Sequence, residues 1–107
     1  MDSITPAELD RWLKSESPPL LLDVRQPEEF AVASLPGAVV VPLDQLPARL
    51  SEPDGWRTEE VVVYCHHGMR SAHAIGWLAA QGFSHLRNLT GGIDRWSLEV
   101  DSETPRY

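Results

Sequence analysis

Cysteine is nearly absent: Cys65 is the only one in 107 residues. No internal disulfide can form, and no second thiol exists in the chain to resolve a sulfur adduct. Whatever Cys65 takes up covalently must leave on an external acceptor. Taken alone, a single cysteine reads as a small buried apolar side chain. Lysine is equally scarce, with Lys14 the only one, so almost all positive charge is arginine and the formal net charge is −7. That balance offers no clustered basic surface to nucleic acid or an anionic membrane. The acidic surface serves solubility and would suit a basic partner. No apolar run reaches bilayer-spanning length. The opening residues lack the basic start and apolar stretch of a secretory signal. The expectation is a cytoplasmic monomer with neither nucleic acid nor membrane as a partner.

The chain also lacks internal repeats, low-complexity stretches and linkers. Its length suits one domain with one core and is too short for two. The single domain is expected over 1–107, with a core of about 4–97 and a polar tail, 98–107. Hydrophobic residues at 42% and charged residues at 23% are the balance of an ordinary globular protein.

Against these absences the chain shows a regular alternation. Thr5-Pro6-Ala7-Glu8 reads as a capped helix start, followed by Leu9, Trp12 and Leu13 at helical spacing. Short apolar runs at 20–22, 38–41 and 61–64 read as buried strands, and 86–89 as a fourth short strand. Between them, Pro27 opens a short helix, 43–50 forms a weak helix interrupted by Pro47, and 51–60 is a polar loop. The clearest helix is expected over 71–81, with Gly82 as the left-handed stop and Phe83 folding back onto Leu78. Gly91-Gly92 begins a last helical turn through Trp96, and the tail is partly ordered through Trp96, Val100 and Tyr107. Strands alternating with helices argue for an α/β fold whose parallel sheet is covered on both faces. In such sheets ligands bind at the carboxyl ends of the strands. The residues there are Asp23-Val24-Arg25, Pro42, the run from Cys65 to Arg70, and Thr90-Gly91-Gly92.

The strongest motif is Cys65-His66-His67-Gly68-Met69-Arg70-Ser71, a cysteine at the end of a buried strand and just before a helix. A tight strand-to-helix loop turns successive backbone N–H groups inward as an anion-binding nest. The helix N-terminus adds partial positive charge. Both favour a thiolate at Cys65 over the thiol. Arg70 adds a full positive charge for an anionic persulfide or sulfur donor, and Gly68 permits the turn. Ser71 reads as the helix N-cap. Arg25 either lines the pocket mouth or pairs with Asp23 or Glu29, while Asp23 fixes backbone or an arginine. His66 and His67 are expected to point in different directions, outward from the loop, and to shape the entrance. With Cys65 and His73 they offer metal-ligand chemistry, but Cys-His-His without a separated ligand pair matches no zinc spacing, and an ion would block the nucleophile. No metal is expected. Trp77 and Trp96 are packing residues, and His85 has no assigned partner.

These residues resemble the rhodanese-homology domains, especially the stand-alone bacterial thiosulfate sulfurtransferases. The landmarks run in order from Leu22-Asp23-Val24-Arg25 through Glu29-Phe30 and Leu35-Pro36-Gly37-Ala38 to the Cys65–Ser71 loop and Gly91-Gly92-Ile93-Asp94-Arg95-Trp96. The resemblance covers about 4–107. It implies a rhodanese-like three-layer sandwich, with a central, mainly parallel sheet of four to five strands flanked by helices. It implies transfer of sulfane sulfur from a donor such as thiosulfate, through a Cys65 persulfide, to a thiol or cyanide. No cofactor beyond that persulfide is implied. The acceptor would be a small thiol, thioredoxin or a sulfur-relay protein. Cys65 is the catalytic residue; His66, His67, Gly68, Met69, Arg70, Ser71 and Arg25 form the substrate site. Asp23, Gly91 and Gly92 support it. Where the family often has Gly-His before the Pro-Gly turn, this chain has Ala33 and Ser34.

Two rival readings follow from the same motif. Phosphatases and arsenate reductases of the related fold have Cys-x5-Arg, whereas Cys65 and Arg70 stand at Cys-x4-Arg. Ser71, at the phosphatase arginine position, cannot make the bidentate phosphate contact. Rhodanese-like domains also serve as non-catalytic binding or regulatory modules, often after losing the cysteine that this chain keeps.

Overall fold

The computed structural model describes residues 2–49 and 54–107. Five strands form one sheet in the order β1 (Ser3–Ile4), β5 (Leu86–Leu89), β4 (Val61–Tyr64), β2 (Leu20–Asp23), β3 (Val39–Val40). Every neighbouring pair is parallel. The helices are α1 (Pro6–Leu13), α2 (Pro27–Val32), α3 (Leu46–Arg49), α4 (Met69–Ala80) and α5 (Gly92–Glu99). This is the rhodanese-like α/β sandwich. β1 has only two residues, too few for a hydrophobic period, which is why it escaped the sequence reading.

The central strand shows why the apolar runs are continuous. Val61, Val63 and Cys65 pack on one face with Ala74, Ile75 and Leu78 of α4. Val62 and Tyr64 pack on the other with Leu9, Ile93 and Trp96. Side chains alternate across a strand, so a sheet covered on both sides needs apolar residues at every position. Cys65 continues this alternation one step past β4, and so emerges on the α4 face.

Local sequence explains most helix ends. Thr5 and Glu8 exchange hydrogen bonds, Glu8 N to Thr5 Oγ1 and Thr5 N to Glu8 Oε1, satisfying two donors at the start of α1. α4 ends as expected: Gly82 is left-handed and the Phe83 amide returns to Leu78 O. Its beginning differs from expectation. α4 starts at Met69, capped by left-handed Gly68, whose carbonyl accepts from the Ala72 amide. Ser71 therefore lies inside the first turn and is not the N-cap. The weak helix expected over 43–50 is a 3₁₀ turn (Leu43–Gln45) running into α3, with Pro47 in the first turn, where its missing N–H costs nothing. Leu50, and 51–53 of the polar loop, lie outside the described residues; Asp54–Trp56 forms another 3₁₀ turn. α5 is longer than the single turn expected and runs to Glu99. Beyond it the tail packs back: Thr104 is buried, and its carbonyl accepts from Ser97 Oγ. No helix among the described residues is long and apolar enough to cross a membrane.

Candidate active site

Cys65 stands at the carboxyl end of β4, directly before the loop that becomes α4. Its Sγ accepts from the Gly68 amide at 3.0 Å and from the Ser71 amide at 3.4 Å. Ser71 Oγ lies 3.4 Å from the sulfur but gives its proton to Asn88 Oδ1 at 2.5 Å. The Asn88 amide in turn donates to Gly68 O at 3.1 Å, which fixes which way Asn88 faces. The donors aimed at sulfur are therefore main-chain N–H groups at a helix N-terminus, not the serine hydroxyl. Such groups favour an anion and need no reorganisation to do so. Cys65 as a whole is only 1% exposed, the deepest residue of its loop.

The loop is clamped from behind as well. The amides of Ile93 and Asp94, in the first turn of α5, donate to the carbonyls of Cys65 and His66 at 2.9 and 3.1 Å. With its carbonyls drawn toward α5, the loop turns its amides toward sulfur. This requires close approach at Gly92, where a Cβ would lie 2.4 Å from His66 O. Gly91 and Gly92 both have positive φ, 74° and 64°. They seat α5 against the loop.

Three arginine and histidine assignments change. Arg25 does not line a pocket mouth. It is fully buried beside fully buried Asp23, donating to its carboxylate through Nε and Nη2, with Nη2 also reaching Ala33 O. Burial works against the charge on Arg25, but hydrogen bonds to Asp23 and Tyr107 outweigh it and raise its pKa. The segment around Ala33 and Ser34 is thus fastened by an arginine. Arg70, expected to face an anion alone, grips Glu29 with both nitrogens at 2.6 and 2.8 Å. That contact, with help from Tyr107 and against burial, pulls the Glu29 carboxyl down to about 2. His66 and His67 do not diverge. Their rings stack at 3.9 Å, and the other face of His66 lies 3.9 Å from the ring of Tyr107. Burial, then the neighbouring His67, lowers the His66 pKa, and its Nε2 is buried without a hydrogen-bond partner among the described residues. His67 faces solvent as expected. Met69 is 83% exposed, so its side chain stands outside the nest.

The sequence reading missed Asn88, Asp94 and Tyr107 as site residues, and met Glu29 only as a possible partner of Arg25. No motif signals Asn88 or Tyr107, which come from β5 and the tail, while Glu29 and Asp94 stood only as landmarks of the resemblance. The described residues bring metal-ligand atoms of His66, His67 and Asp94 within 4.8 Å of one another, although both Asp94 oxygens already accept from Arg106.

A thiol held by main-chain amides thus stands at a strand–helix junction. The family model of the rhodanese-like domain matches residues 5–99. The chain belongs to the rhodanese-like domain family. The rhodanese-like fold seen here overlays a crystal structure of a rhodanese-like domain protein from Staphylococcus aureus, with a TM-score of 0.85 and 32% identity, covering 100% of this chain and 99% of that one. A protein named sulfurtransferase from Allochromatium vinosum is 35% identical over 97 residues, 91% of this chain and 89% of that protein. The chloroplastic rhodanese-like/PpiC domain-containing protein 12 of Arabidopsis thaliana is 42% identical over 89 residues, 81% of this chain. This rhodanese-like chain spans only 30% of that longer protein.

Proposed function

We propose that this chain is a sulfurtransferase that carries sulfane sulfur as a persulfide on Cys65. The observation that carries the reading is the pair of amide donors, from Gly68 and Ser71, converging on Cys65 Sγ. The resemblance to the Allochromatium vinosum sulfurtransferase over nearly its whole length supports it. With thiosulfate as donor, the Cys65 thiolate attacks the outer sulfur. A new S–S bond forms, the old one breaks, and sulfite leaves with the bonding pair. The persulfide anion stays within reach of the same amides and of Arg70. An acceptor thiolate, or cyanide in an assay, then attacks the terminal sulfur, and Cys65 departs as thiolate. The acceptor in this reading is a small thiol, thioredoxin or a sulfur-relay protein. The sulfur is held covalently, so neither a resident metal nor an organic cofactor takes part. Two separate half-reactions give ping-pong kinetics.

Intact-mass measurement after thiosulfate treatment tests this. The expected result is a gain of one sulfur atom, lost on adding thiol and absent in Cys65→Ser. No gain with thiosulfate or with a persulfide donor would overturn the reading. The deep burial of Cys65 favours one alternative, a non-catalytic binding module. Such a module would keep its partner in Cys65→Ser, whereas the enzyme loses turnover. The shorter Cys-x4-Arg spacing argues against phosphatase action, and aryl phosphate hydrolysis at rates near thiosulfate turnover would reverse that conclusion.

A further inference from the structure

One hydroxyl sits where four parts of the chain meet. Tyr107 Oη accepts from Arg25 Nη1 at 2.7 Å and donates to Glu29 Oε2 at 2.7 Å, while its ring lies nearly parallel to that of His66, at 7°. The proton directions are forced. Arginine has only donors and an ionised carboxylate only acceptors, so Tyr107 must accept from the first and donate to the second. Arg25 cannot turn away, because Asp23 and Ala33 O hold it in the interior. Tyr107 is thereby anchored on one side and aimed at Glu29 on the other.

Glu29 is what Arg70 holds in this structure, and Arg70 stands in the first turn of α4 directly before Ser71, whose amide reaches Cys65 Sγ at 3.4 Å. An anion at Cys65 and the Glu29 carboxylate therefore compete for one guanidinium. A bidentate arginine–carboxylate pair is among the stronger polar contacts, and it gives way easily only when the abandoned carboxylate keeps other donors. Glu29 keeps one for each oxygen: the Gln26 amide on Oε1 at 3.2 Å and the Tyr107 hydroxyl on Oε2.

We propose that Tyr107 is a positioning residue for sulfur transfer: its hydroxyl holds Glu29 as the resting counter-ion of Arg70, and keeps that carboxylate hydrogen-bonded when Arg70 swings to an anion at Cys65. This rests on the assignment of Cys65 as the sulfur carrier, and the test separates the two. Glu29 and Tyr107 touch no substrate in this scheme. They set the ease with which Arg70 changes partner, and so the preference of the site for anionic over neutral reagents.

The experiment compares alkylation of Cys65 by anionic iodoacetate and neutral iodoacetamide in the full chain. Only the first reagent draws on Arg70. In Tyr107→Phe, which keeps the ring on His66, the iodoacetate/iodoacetamide rate ratio should fall about five- to ten-fold, the scale of one hydrogen bond to a partly exposed charge. In Glu29→Gln it should rise, and the double variant should match Glu29→Gln alone. The thiosulfate KM should move opposite to the ratio, rising where it falls, with kcat changing less than about two-fold. An unchanged ratio in Tyr107→Phe overturns the proposal. So does an equal fall with and without Glu29, since Tyr107 would then act through packing alone. If Tyr107→Phe does not fold, a ratio in Glu29→Gln no higher than wild type overturns it as well. If the ratios shift as expected but no sulfur donor loads Cys65, the sulfurtransferase reading fails while the Tyr107–Glu29–Arg70 relation stands.

Discussion

Substituting Gly92 by alanine should damage the nucleophile loop without touching any residue of it. The added Cβ would lie 2.4 Å from His66 O and 2.5 Å from Cys65 O, closer than the 3.0 Å that real Cβ atoms respect, so loop and helix must part by about 0.6 Å. Both neighbours are backbone, and neither can rotate aside. The left-handed conformation at Gly92 costs alanine about 1–2 kcal/mol. The two hydrogen bonds from Ile93 and Asp94 amides to the loop carbonyls weaken at about 1 kcal/mol each. The sum is about 3–4 kcal/mol, a fall in Tm of about 12–25 °C for a chain of this size. Movement of the loop also takes the Gly68 and Ser71 amides off Sγ, so iodoacetate modification of Cys65 should slow even well below the melting point. Gly76 is the control, since a Cβ there meets nothing within 4 Å. Gly76→Ala should raise stability by up to about 1 kcal/mol through helix propensity alone. Calorimetry and alkylation kinetics read both effects. A Gly92→Ala chain melting within about 3 °C of wild type, with unchanged alkylation, would refute the clamp between α5 and the loop.

Other expectations concern charge. Arg25→Met leaves the Asp23 carboxylate buried without its guanidinium partner, and should cost about 3–5 kcal/mol by urea denaturation. A double change with Asp23→Asn should cost less than the sum of the two single changes. Glu29 has a carboxyl held at about 2 in the fold, against an ordinary value of 4.5. Because its folded value is depressed, its contribution to stability is present above about pH 4.5 and is lost as pH falls toward about 2. Glu29→Gln should therefore flatten the pH dependence of stability in that window, with little change near neutrality in the slope.

Much was legible in the chain itself. The apolar runs at 20–22 and 61–64 became strands because a doubly covered sheet has no polar face to reveal an alternation. The Cys65 loop and its glycine could be read because local geometry, a strand turning into a helix, is set by neighbouring residues. The ends of α1 and α4 were likewise local: Thr5 with Glu8, and Gly82 with Phe83. Errors entered where a side chain chooses among distant partners. Arg25 had two plausible fates, and burial beside Asp23 chose between them. Arg70 had the charge for an anion, yet Glu29, 41 positions away, holds it.

Sequence alone thus determined the scaffold and the place of the thiol, because backbone periodicity and a tight turn depend on contacts a few residues apart. Tertiary structure alone decided which groups surround that thiol. Asn88 behind Ser71, Asp94 beside His67, and Tyr107 against His66 and Glu29 are long-range meetings, made only when the parallel sheet brings its carboxyl ends to one edge.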